Sequence, residues 1–374
     1  MTKKKMVSPK IVVQPEELLV PEVDEFYNVP TGSASNLVME VLSSGENVGD
    51  LPDRKQQISR STQMTVLESG KKRLVSIKST KCSISVELAD IEKMTGTNKP
   101  AKKLFVLAMI KANEQAIHNG QLGRNYVSFP VKELVDIGFY KTPQSARKGF
   151  DSGADALTSL KIRGTVEETK KKKQVQMTLE VLFTGAHREK GQCILYLNER
   201  INWGFIAQYF TILPKYYFSL SNRASELLYY IFYLARQNTK DIAEKGHFNI
   251  SFRAIQARLQ LPSEVMNENP YKTIKKPIED ALEEIEKGHN CYYGGQEFGL
   301  LPVADDNAPI KEYLDKGYLK VTLSGSFAAS FLAISEGTKK QIEQSNQRKA
   351  RIEEKAIAMK TAQNMKDIPE QNKL

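Results

Sequence analysis

VSFPVKELVDIGFYKTPQSARKGFDSGADAL (residues 127–157) returns further along the chain as ISFRAIQARLQLPSEVMNENPYKTIKKPIEDAL (residues 250–282), and the two stretches follow one plan. Each opens on a short strand pattern, Val127-Ser128-Phe129 or Ile250-Ser251-Phe252. A brief apolar helix pattern follows, Val131 to Val135 or Ala254 to Leu259, with Gly138 placed to stop the first. Thr142-Pro143 and Asn269-Pro270 then supply an N-cap and a first-turn proline. The helices they start carry Ala146, Phe150, Ala154 and Leu157, or Ile274, Ile278, Ala281, Leu282 and Ile285, on one face. Pro277 inside the second should kink that helix or delay its start.

Working outward, each stretch is preceded by a helical pattern. Leu104, Leu107, Ala108, Met109 and Ile110 follow Pro100, while Ala224, Leu227, Leu228, Ile231 and Ala235 follow Ser221-Asn222. Strand-like sequence comes after. Ile162 to Val166 and Val175 to Phe183 alternate about the turn Lys170–Lys173, and Cys193 to Leu197 adds a further strand. In the second copy the strands end with Tyr318 to Leu323, and Gly288 to Lys316 is expected to hold an insertion. Helix, strand, helix, turn, helix, hairpin is the order of a winged helix. The fold class is therefore α+β: two tandem winged-helix domains with a flexible N-terminal arm and a charged C-terminal tail. The expected divisions are an arm at 1–81, a first domain at 82–200, a second at 201–334 and a tail at 335–374. Within the arm, Asn36 to Leu42 could form a short helix, and Arg73 to Ile77 could pair with Cys82 to Val86. Trp203, Phe205, Tyr209, Phe210, Tyr216, Tyr217 and Phe218 are expected to pack a seam between the halves.

With 54 Lys and Arg against 44 Asp and Glu, the chain carries +10 and favours polyanions. No apolar run approaches the ~20 residues of a membrane span, so no membrane association and a cytoplasmic location are expected. Cys82, Cys193 and Cys291 form no CxxC pair, and their odd number argues against a disulfide framework. His118, His187, His247 and His289 stand singly, so no metal site is expected. No GxxxxGK[ST], GxSxG, HExxH or kinase motif occurs, and neither a cofactor nor an enzymatic activity is expected.

The signal for function lies in the paired helix starts. The first presents Lys141, Thr142, Gln144, Ser145, Arg147 and Lys148 before turning acidic at Asp151 and Asp155. The second presents Asn269, Tyr271, Lys272, Thr273, Lys275 and Lys276 before Glu279, Asp280, Glu283 and Glu284. Cations early and anions late oppose the helix dipole, at ~0.3–1 kcal/mol per charge. A helix pointing its first turns into a major groove would gain from that order. Gln, Arg and Asn can read base edges bidentately. Lys170, Lys171, Lys172 and Lys173 would form a basic wing on backbone phosphate.

Tyr209 to Tyr230 (YFTILPKYYFSLSNRASELLYY) and Asn269 to Ile285 (NPYKTIKKPIEDALEEI) resemble segments of the initiator Rep proteins of theta-replicating bacterial plasmids. Ser221, Ala224, Leu228 and Tyr229 carry the first likeness, and Ala281, Leu282 and Ile285 the second. The resemblance covers about Lys99 to Leu332 and leaves the arm, the insertion and the tail unmatched. It implies binding to double-stranded DNA at origin repeats, local melting, recruitment of host replication proteins, and a homodimer through the first winged helix that represses its own promoter. The alternatives are a transcriptional regulator or copy-control repressor on the same fold, and a nuclease or relaxase, which the missing metal-ligand clusters disfavour.

Overall fold

The computed structural model describes residues 26–30, 35, 38, 39, 42, 56–59, 62–69, 72–79, 83–88, 98–119, 125–168, 173–198, 210–262, 269–305, 308–325, 327–329 and 331–333. Strand β1 (Phe26–Pro30) stands apart from β2 (Gln56–Ser59), β3 (Thr62–Ser69), β4 (Lys72–Ser79) and β5 (Ser83–Leu88), which form an antiparallel meander. The expected pairing of Arg73–Ile77 with Cys82–Val86 is present, as Ile77 lies opposite Val86.

The first winged-helix unit follows. Helix α1 (Asn98–Asn119) leads to β6 (Tyr126–Pro130), α2 (Val131–Asp136) and α3 (Pro143–Ser159). Next come β7 (Leu160–Glu168), β8 (Lys173–Val181), β9 (Phe183–Glu189) and β10 (Gln192–Leu197). β6, β10 and β9 make the small sheet of the unit, in that order. β7 and β8 do not join it. β7 pairs with β5 instead, so the hairpin completes a six-stranded sheet begun in the arm. The period-two stretches are strands as read, but β7 pairs with β5, at the start of the expected first domain, and through it the hairpin joins the strands of the arm. The expected lysine wing is thereby corrected: the chain leaves the unit after α3, makes that hairpin, and returns to build the wing from β9 and β10.

Strand β11 (Phe210–Pro214) and a 3-10 turn (Lys215–Ser219) connect to the second unit. It comprises α4 (Asn222–Gln237), α5 (Thr239–Lys245), β12 (His247–Ser251), α6 (Phe252–Arg258), a π-helical turn (Tyr271–Lys275), α7 (Lys276–Tyr293), β13 (Phe298–Val303), α8 (Ile310–Lys316) and β14 (Tyr318–Leu323). Its sheet order, β12-β14-β13, repeats that of the first unit. Pro277 does delay the α-helix. The preceding π turn lets Lys276 N–H reach the Tyr271 carbonyl, so the proline enters at the start of α7. The expected insertion over Gly288 to Lys316 is narrower than read: α7 runs on to Tyr293, β13 follows, and only α8 and its flanks stand between the wing strands.

One apolar core runs through both units. Every residue of α1 from Ala101 to Ile110 is buried, because α1 packs against α3 and β6 on its own unit and against β1 as well. The arm is therefore not loose at β1. Phe26 and Val29 are buried, and β1 pairs along its length with β11. Phe26 also stacks on Tyr293 at 5.7 Å and meets Phe327 edge-on at 4.5 Å. The described residues of the expected short helix, Val38, Met39 and Leu42, are helical and buried. Tyr216, Tyr217 and Phe218 fill the seam as expected. Gly288 lets the ring of Tyr216 approach α7, since a Cβ there would meet it at 2.8 Å. Trp203, Phe205 and Tyr209 lie outside the described residues, as does the tail 335–374.

The seam also holds a buried lysine. Lys103 of α1 donates to the carbonyls of Phe218, at 2.9 Å, and of Leu220. Burial pulls its ammonium from the ordinary 10.5 down to about 8, against the opposing pull of Glu284. Between those values the unfolded chain binds the extra proton, so stability rises with pH there and the gain is absent below about 8. Relative to Lys103→Met, the wild type should gain up to about 1.4 kcal/mol per pH unit across that window, read from paired urea titrations. A pH-independent difference between the two would remove this assignment.

Candidate nucleic-acid interface

Helix α3 is started by a reciprocal cap. Ser145 N–H donates to Thr142 Oγ1 and Thr142 N–H to Ser145 Oγ, each at 3.2 Å. Thr142 and Ser145 thus hold the helix start, while Lys141, Gln144, Arg147 and Lys148 are exposed around it with no ion pair to another described residue. Ala146, Phe150, Ala154 and Leu157 turn inward, as the spacing predicts. The outward face reads Gln144, Arg147, Lys148, Asp151 and Asp155.

The wing lies beside this face. β9 and β10 turn at Lys190-Gly191, whose φ values of 49° and 81° are those of a type I′ hairpin. Arg188 donates from Nε and Nη2 to both oxygens of Asp151, at 2.7 and 2.8 Å, and ties the wing to α3. This pair is exposed, so its value is orientation more than stability. Arg188 and Lys190 were missed in the sequence, although Gly191 just before the strand Cys193–Leu197 is a turn cue. Of the lysines read as the wing, Lys170, Lys171 and Lys172 lie outside the described residues, and Lys173 opens β8 in the other sheet. Lys190→Ala should weaken binding to all duplexes alike and lower the salt slope by about 1. An unchanged slope in a salt titration would take the wing tip out of the interface.

The second helix start is built differently. Asn269 Oδ1 accepts from Lys272 N–H at 3.1 Å, and its carbonyl accepts from Thr273 Oγ1 at 2.9 Å. Asn269, Tyr271, Lys272 and Lys276 are exposed, Tyr271 at 56%. Lys276 pairs with Asp280 at 2.9 Å. Lys275 corrects the sequence reading. It is buried at 8% exposure, its ammonium 5.0 Å from the Tyr313 ring and 3.8 Å from Glu279. It packs the helix start against α8 instead of facing a ligand. In place of a β-wing tip, α8 folds back on α6, with Phe252 and Tyr313 stacked at 4.5 Å and Arg253 donating to Asp315 at 2.6 Å.

The reversed charge order has a structural half. Asp151 holds Arg188, Asp280 holds Lys276, and Glu284 accepts from Ser221 N–H and Oγ, both at 2.5 Å, at the start of α4. Asp151, Asp280 and Glu284 among the late acids are thus explained by pairing within the protein. Among the described residues the early cations Lys141, Arg147, Lys148 and Lys272 have no such partner, and their exposure in equivalent places of both units is what suits them to a polyanion.

Among the described residues, no three His, Cys, Asp or Glu side chains gather as a metal site, and no helix is long and apolar enough to cross a membrane. No family model matches the chain, and no curated protein matches it. Among solved structures, a crystal structure of domains 2 and 3 of RctB aligns at 9% identity and TM-score 0.37, covering 74% of this chain and 95% of that one. A selenomethionine derivative of the same domains aligns at 9% identity and TM-score 0.39, covering 76% and 99%. A likeness of this degree says nothing about activity.

Proposed function

We propose that this chain is a non-enzymatic, sequence-specific DNA-binding protein that initiates replication of a bacterial plasmid or mobile element. It binds repeated origin sites through its two winged helices, α3 and the Tyr271–Tyr293 helix entering successive major grooves. The observation that carries this reading is the repeated unit itself. Two helices in equivalent positions each present exposed cations and amides from their first turns, in a chain of net charge +10. Gln144 and Arg147 are the base-reading candidates of the first unit, and Asn269, Tyr271 and Lys272 those of the second. Host replication proteins and a second copy of the chain, joined through the first unit, are the further partners. The resemblance to plasmid initiators supplies the replication role.

The test has two stages. A nuclease footprint on the native replicon should show protected repeats, and their absence would end the initiator reading. The gene with its adjacent repeats should then sustain a plasmid lacking its own origin. Protected repeats without plasmid maintenance would mark a regulator or copy-control repressor instead.

A further inference from the structure

Three charged side chains meet inside the protein at the junction of the units. Glu226 of α4 lies 2.5 Å from Nε of Arg258, on α6, and 3.6 Å from Nζ of Lys102, on α1. Lys102, Glu226 and Arg258 are only 4%, 2% and 3% exposed. Lys102 belongs to the first unit, and the other two to the second. We propose that this triad is a positioning device: it fixes the angle between the two recognition helices and so sets the spacing of the half-sites. The proposal rests on the DNA-binding reading above.

A buried ion pair adds little net stability, because desolvation offsets the attraction. What it adds here is uniqueness. Apolar side chains can slide over one another at small cost, whereas a buried carboxylate lying between two cations loses their Coulomb attraction in any other arrangement. The placement suits that role. Arg258 ends α6, the helix before the second recognition helix, and Lys102 lies on α1, which packs on the first recognition helix, α3. The triad therefore links the supports of both readers through three side chains. One base pair of extra spacing turns a half-site by ~34° about the duplex, so a fixed angle makes the protein a ruler.

The experiment uses the full chain and duplexes carrying two selected half-sites, with up to five base pairs inserted or removed between them. The wild type should lose on the order of 10²-fold in affinity half a turn from its preferred spacing. The triple variant Lys102→Met/Glu226→Leu/Arg258→Met should keep its thermal midpoint while losing only a few-fold over the same series. Lys102→Met alone leaves the Glu226–Arg258 pair intact within the second unit, and should flatten the spacing profile even if the triple variant does not fold. A Lys102→Met protein that discriminates spacing as sharply as the wild type would overturn the proposal. Failure of the wild type to bind any duplex would instead overturn the DNA reading beneath it.

Discussion

Glu226→Ala is expected to cost about 3–5 kcal/mol of stability, the largest effect of any single substitution considered. The change leaves Lys102 and Arg258 buried without the carboxylate between them. A buried cation that loses this carboxylate keeps its desolvation cost without the offsetting attraction, unlike one removed with its partner. For a chain of 374 residues each kcal/mol lowers the thermal midpoint by about 1.3 °C, so a fall of about 4–6 °C is expected. A shift within about 2 °C would mean that water reaches the triad and that the junction is not dry.

Arg147→Ala is the second. Arg147 lies on the outward face of α3, exposed and without an ion pair to another described residue. If it reads a base edge, its loss should weaken specific binding by about 1–3 kcal/mol, roughly 5- to 160-fold, and relax preference at one base pair. Its unfolding midpoint should not move, because no packing is lost. Lys272→Ala is the matching change in the second unit and should relax a different base pair. A uniform weakening across all sequences would make either residue a phosphate contact.

The doubled unit was legible because its cues are local. Thr142-Pro143 starts α3 where the capping residues place it, and the face of Ala146, Phe150, Ala154 and Leu157 is buried as periodicity requires. Pro277 delays its helix as its missing N–H demands. What the sequence hid is long-range. Alternation marks Leu160–Glu168 and Lys173–Val181 as strands but cannot say that β7 pairs with the distant β5. Likewise nothing local joins Phe26–Pro30 to Phe210–Pro214. Lys275 illustrates a different miss. It stands beside Ile274 and seven residues before Leu282, within the buried stripe, so helical spacing could have withdrawn it from the surface set. Lys102, Glu226 and Arg258 carry no sequence signal, since burial of a charge is decided by packing from distant elements.

The most direct test of the account is selection of duplexes from a random-sequence pool by the full chain at physiological salt. The enriched sequences should contain two half-sites about one helical turn apart. Arg147→Ala should relax one half-site and Lys272→Ala the other. Enrichment of a single half-site indifferent to both substitutions, or no enrichment at all, would contradict the claim that two recognition helices read DNA together.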